Sequence, residues 1–136
     1  MLLDKPVFRL LESSMNAAAL RQNVIANNVA NVDTPLFKRS DVQFEELLQQ
    51  KMSGQQAPLI GFRTDPRHFP IGGNVESMPT PRVMTDESSA MNNNKNNVDI
   101  DYEMALLAAN QLRYNVMVQS ANYEIRKIRT AIDGRR

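Results

Sequence analysis

Apolar positions recur at alternating steps of three and four in two long stretches of the chain, one near each end. From Pro6 to about Val32 the series reads Phe8, Leu11, Met15, Ala18, Gln22, Ile25, Val29 and Val32. Seven of these eight positions are apolar, the mark of a helix that packs along one seam. Pro6 stands near the start, where its missing N–H costs nothing, and Pro35 ends the pattern because it cannot donate and pushes Thr34 toward extended backbone. The expected helix is 6–32.

From 99 to 134 the pattern repeats in Met104, Leu107, Gln111, Tyr114, Val118, Ala121, Ile125, Ile128 and Ile132. Asp99 is placed to cap this helix, Asp101 and Glu103 meet the positive end of its dipole, and Gly134 is placed to stop it. Between the two lies a different kind of sequence, over 33–98. A turn leads into an expected short helix at 41–52, with Ser40 and Gln43 at capping-box spacing and Phe44, Leu47 and Leu48 on one face. Gly54 to Asn97 then holds four of the five glycines, five of the seven prolines and the run Asn92, Asn93, Asn94, Asn96 and Asn97, a composition of loop or disorder. Short extended pieces at Pro58 to Phe62 or Met78 to Met84 fit within it. The expected fold is mainly α: N- and C-terminal helices paired as an antiparallel coiled-coil-like hairpin, in a single elongated unit of 1–136, with a loop-rich, partly extended or disordered middle.

Antiparallel pairing that sets Gln22 against Gln111 also matches Phe8 with Ile125 and Val29 with Met104. Two readings of the glutamines stand side by side: a buried polar pair that fixes the register, or two side chains facing water at the seam edge. A second apolar stripe runs along each helix, about 130° from the seam centre at 100° per residue. In the first helix it is Leu3, Leu10, Ala17 and Val24; in the last it is Tyr102, Ala109, Val116 and Tyr123, with Leu112 beside them. A helix pair alone leaves both stripes in water, forgoing several kcal/mol at about 25 cal/mol per Å². Either the short helix folds back over them or helices of other subunits cover them. The short helix, about 18 Å long at 1.5 Å per residue, is too small for helices of about 40 to 50 Å, which favours other subunits.

Composition narrows the chemistry. The 136 residues carry a net charge of +1, so no long-range field gathers nucleic acid or anionic lipid. With no cysteine and with His68 as the one histidine, the chain offers no thiol nucleophile, thiolate metal site or histidine triad. Arg63, Asp65, Arg67 and His68 read as an anion-binding loop, as solvated loop charges or as an inter-subunit contact, the latter two favoured. Asp99, Asp101 and Glu103 lack the glycine and spacing of a calcium loop, and Gly72 and Gly73 lack the flanking pattern of a phosphate loop. No enzyme, cofactor, metal or small-molecule substrate is expected. Neither an uninterrupted apolar leader nor a membrane-spanning stretch is evident.

The segment NVIANNVANVDTPLFKR, Asn23 to Arg39, resembles the N-terminal signature of flagellar rod, hook and hook-associated axial proteins, in which a helix ending in an Asn-Ile-Ala-Asn-like run enters a Thr-Pro-Gly-Tyr-like turn. Asn28, Val29, Ala30, Asn31, Thr34 and Pro35 match; Leu36 stands for the usual Gly and Phe37 for the usual Tyr. Leu is poorly suited to the positive φ that Gly allows, so a turn of different shape is expected. NVDIDYEMALLAANQLRY, Asn97 to Tyr114, and DVQFEELL, Asp41 to Leu48, are similar to the proximal, FlgB-type rod family. The resemblance covers about half the chain. It implies a structural subunit of the flagellar basal-body proximal rod, exported by the flagellar type III apparatus without a cleaved signal. It also implies a place next to the membrane ring and the rod-to-ring adaptor, below other rod proteins, with the terminal helices lining the tube. A soluble helical adaptor or chaperone-like module that grips a peptide helix in its apolar stripes is the competing reading.

Overall fold

The computed structural model describes residues 6–53, 78–87 and 95–134. Two long helices, α1 (Pro6–Ala30) and α3 (Ile100–Asp133), pack against each other, and the segment between them contributes strand β1 (Ser40–Gln43), helix α2 (Glu45–Ser53) and strand β2 (Arg82–Thr85). At 1.5 Å per residue α1 is about 38 Å long and α3 about 51 Å. Among the described residues the fold is thus mainly helical, with long terminal helices in contact and a short helix between them in sequence. Leu3, the Pro58 to Phe62 piece, the Arg63 to His68 loop and the Gly72–Gly73 pair lie outside the described residues.

The helices run antiparallel, because the side chain of Asn28 meets Glu103 while that of Asn110 meets the carbonyl of Ala18. Local chemistry accounts for the ends of α3. The Asp99 carboxylate accepts from the N–H groups of Asp101 and Tyr102, and Gly134 leaves the helix in the left-handed conformation at φ 61°. The end of α1 is closed from a distance. Asn96 Nδ2 lies 3.0, 2.9 and 2.9 Å from the carbonyl oxygens of Asn31, Val32 and Thr34, so a side chain 62 to 65 residues away serves as the C-terminal cap.

Ser40 to Gln43 corrects the expected helix at 41–52. These residues form a strand paired antiparallel with β2, Ser40 opposite Thr85 and Val42 opposite Val83, and α2 starts only at Glu45. The cause lies in the backbone partners. The Asn28 amide donates to the Ser40 carbonyl (2.8 Å) and accepts from the Ser40 N–H (3.0 Å). Arg39 donates its N–H to Asn97 Oδ1 and accepts at its carbonyl from the Asp86 N–H. With those groups already engaged, no first helical turn can form on them. Ser40 uses its hydroxyl on Thr85 and does not cap. Pro79 is tied to α1 by the Ser13 hydroxyl, which donates to the Pro79 carbonyl.

The turn after α1 keeps the glycine-like geometry in spite of its sequence. Leu36 has φ 63°, where a Cβ crowds the backbone at a cost of about 1 to 2 kcal/mol. The side chain is 68% exposed and recovers little of that by burial. Leu36→Gly should therefore stabilise the chain by about 1 kcal/mol and raise the thermal midpoint. A lower midpoint in a melting curve would contradict this account of the turn.

Candidate interaction face and the polar clamp behind it

Glu103 sits in the first turn of α3 and is completely buried. A carboxylate so placed is costly unless it is paired and hydrogen-bonded. Arg39 Nε donates to Oε1 at 2.9 Å, and Asn28 Nδ2 donates to Oε2 at 3.1 Å. The Arg39 guanidinium lies 5.4 Å from the ring centroid of Tyr102, which covers it on that side. Burial alone favours loss of the Arg39 proton, but the hydrogen bond and charge of Glu103 outweigh it, with Asp41 adding to them, so the guanidinium is held above its ordinary range. Asn97 completes the junction, accepting from the Arg39 N–H at 2.6 Å and donating to the Asp86 carbonyl at 3.0 Å. One clamp thereby joins α1, the turn, β1, the segment after β2 and α3.

This clamp sets the rotation of α3. Glu103 and Asn110, seven residues apart, are the most buried positions of that helix, at 0% and 3% exposure. Leu106, Leu107, Met117, Val118, Ala121 and Ile128 are half-buried near them. The expected seam must be corrected here: Met104, Gln111, Tyr114 and Ile125 are exposed, whereas Leu107 and Val118 are half-buried. On α1, Ile25 is buried, Phe8, Leu11, Met15 and Val29 are half-buried, and Gln22 is exposed. The glutamine pair does not form; Ala18 faces Asn110 instead.

The second stripes divide in the same way. Ala17 is buried within the chain, 1% exposed, and Leu10 and Val24 are half-buried, so this side of α1 is used internally. Tyr102, Ala109, Leu112, Val116 and Tyr123 are all exposed. Among the described residues, α1 leaves one large apolar side chain in solvent, Val7. On α3 there are nine: Ile100, Tyr102, Met104, Leu112, Tyr114, Val116, Tyr123, Ile125 and Ile132. At 100° per residue they fall on two sides of the helix, Tyr102, Leu112, Val116 and Tyr123 on one and Ile100, Met104, Tyr114, Ile125 and Ile132 on the other. Of the signature residues, Asn28 is buried in the clamp, Asn31 donates to the Asn27 carbonyl, and Thr34 donates its hydroxyl to Asn31 Oδ1. Val29 is half-buried, and Ala30 and Pro35 are exposed. Neither Glu103 nor Asn96 and Asn97 carried a recognisable signal of burial in the sequence, where they read as dipole compensation and loop.

The described residues contain no group of three or more His, Cys, Asp or Glu side chains able to hold a metal ion, and none of their helices is long and apolar enough to cross a membrane. The described residues thus form a helix pair locked by side-chain amides at the turn, with large apolar side chains exposed on α3. Residues 8–38, which include Asn28 and the turn, match the family model described as flagella basal body rod protein. Over nearly its whole length the chain is 34% identical to the flagellar basal body rod protein FlgB of Bacillus subtilis (strain 168), across 91% of each chain. It is 39% identical to FlgB of Borreliella burgdorferi over 76% of this chain and 78% of that one, and 28% identical to FlgB of Escherichia coli (strain K12) over 92% and 93%. The class is therefore a structural subunit of the flagellar basal-body rod. Within that class, the chain belongs to the FlgB family.

Two predictions follow from the clamp and its neighbourhood. Glu103→Ala leaves the Arg39 guanidinium and the Asn28 amide without their acceptor and should cost about 3 kcal/mol in denaturant unfolding. The double variant Arg39→Met with Glu103→Leu, which removes both charges, should recover most of that loss; equal losses in the two would contradict the clamp. Glu45 differs because it is exposed. Burial raises its pKa somewhat, but the hydrogen bond from Arg21, a backbone N–H and the charges of Arg21 and Arg113 outweigh this and hold it below its usual value of 4.5. A depressed carboxylate stabilises the fold above its unfolded pKa and loses that contribution as pH falls through the lower folded value. Glu45→Gln should lower stability slightly at neutral pH and leave it unchanged once the pH has fallen below the folded value, flattening the profile below about pH 4.5, a small effect because solvent screens the pair.

Proposed function

We propose that this chain builds the cell-proximal part of the rod, joining other copies of itself and other rod proteins through the exposed face of α3. In this reading it stands between the membrane ring with its rod-to-ring adaptor and the distal rod, and it carries torque across the periplasm or cell wall. It reaches that place through the flagellar type III export apparatus, without a cleaved leader. The observation that carries the proposal is the asymmetry of the hairpin: among the described residues α1 exposes one large apolar side chain, Val7, while α3 displays nine on two sides of a helix of about 51 Å, with Leu112, Val116 and Tyr123 on the side turned from α1. A torque-bearing wall needs such a long contact, because many small apolar contacts along a stiff helix resist shear better than one short patch.

The clamp is internally satisfied, which fits a subunit whose work is mechanical. Val116, 61% exposed near the middle of α3, gives the test. Val116→Glu should change folding stability by no more than about 0.5 kcal/mol, since the side chain touches little within its own chain. The same substitution should prevent incorporation into basal bodies and abolish motility. Normal rods and swimming in cells carrying only that variant would refute the α3 face as the assembly surface.

A further inference from the structure

The residues just ahead of α3 are committed, one after another, to different parts of the fold. Asn96 is fully buried; its Nδ2 reaches the carbonyl oxygens of Asn31, Val32 and Thr34 after α1, and its Oδ1 accepts from the Val98 N–H at 2.7 Å. Asn97 stands between Arg39 and Asp86. The Asp86 N–H donates to the Arg39 carbonyl, and the second bond of that antiparallel pair is replaced by the Asn97 amide, which accepts from the Arg39 N–H and donates to the Asp86 carbonyl. Val98 is buried, and Asp99 caps α3. The end of α1, the sheet and the start of α3 therefore share one short stretch of backbone.

Strain lies on both sides of the Asn96 amide. Among the described residues two besides glycine have positive φ: Lys95, at 61°, which immediately precedes Asn96, and Leu36, at 63°, which follows the Thr34 carbonyl that Asn96 holds. Each left-handed backbone costs free energy, and both side chains are exposed, so burial does little to offset it. Such conformations persist only where the surrounding contacts over-determine them. The Asn96 amide is the contact common to both. We infer that residues 95–99 are a latch: closing it strains both turns while fixing both helix ends, and opening it releases the two turns, the end of α1 and the start of α3 together. The pairing of Arg39 with Glu103 belongs to the closed state, because Asn97 holds the Arg39 backbone in place. The far end of α3 stands outside the unit. Among the described residues, the side-chain hydrogen bonds and ion pairs of α3 beyond Met117 stay within that helix.

Glycine tests this without breaking a contact, since it relieves a left-handed position and leaves the Asn96 amide where it is. In native-state hydrogen exchange on the full chain, Lys95→Gly should slow exchange about fivefold at the amides of Asn31, Val32 and Thr34, in the other half of the sequence, and by a similar factor at Val98 and Glu103. Leu36→Gly should act in the opposite direction along the chain, slowing Val98 and Glu103 as much as Asn31 and Thr34. Amides from Gln119 to Thr130 should be unmoved by either variant. Asn96→Asp, which puts a carboxylate oxygen where the donor stood, should speed exchange about tenfold or more at all of the latch amides together. Effects confined to the substituted side mark two independent turns and overturn the proposal. Equal slowing along the whole of α3 overturns it as well, because the chain then opens only as one body, and so does an absence of protection at these amides in the unaltered chain.

Discussion

The arrangement of the molecule depends on satisfying one carboxylate. Glu103 is excluded from water at the start of α3, and an unpaired charge there would cost more than a domain of this size can spare. Its two partners come from different places: Arg39 from the chain just beyond the turn and Asn28 from α1. Meeting the needs of a single side chain therefore fixes the turn, the start of β1 and the pairing of the long helices together. Asn28 does more than donate to Glu103, since its amide also engages both backbone groups of Ser40. Replacing that junction with apolar groups could preserve stability, but it would remove the geometric demand that selects one register.

From this demand follows the rotation of α3. Glu103 and Asn110 face α1, so the neighbouring apolar positions turn outward. Consecutive residues of a helix lie 100° apart, and Met104, Gln111 and Ile125 follow buried or half-buried residues by one position. The exposure of these apolar positions on α3 thus follows from a polar decision made inside the hairpin. Ala17 and Ala18, both buried, are small enough to let the helices approach on that line.

What the sequence makes legible divides along the same boundary. The existence of both long helices, the Asp99 cap and the Gly134 stop are local signals, decided by residues within a turn of the feature they control. Family kinship was legible as well, because the Asn-rich end of α1 and the following turn make a distinctive string. The face of α3 was not, since a rule that buries apolar residues chooses Met104 over Glu103 and cannot know that Arg39, 64 residues earlier, arrives to meet the carboxylate. For the same reason Asn96 and Asn97 look like loop: their acceptors and donors lie across the fold. Leu36 shows a further limit, because the tertiary fit of the turn overrides the residue's own preference for negative φ.

Polar and apolar groups divide the work in an order suited to a rod. Hydrogen bonds and the buried ion pair are directional, so they specify the shape of a single chain, but their net contribution to its stability is modest. Apolar burial is non-directional and scales with area, so a long exposed strip contributes most when a neighbour covers it. Placing the directional interactions inside and the area-dependent ones outside gives a subunit whose form is set before it meets its neighbours and whose stability rises when it does. A subunit with the reverse arrangement, an apolar interior and a polar exterior, would be complete by itself and would have little free energy left to hold a wall together.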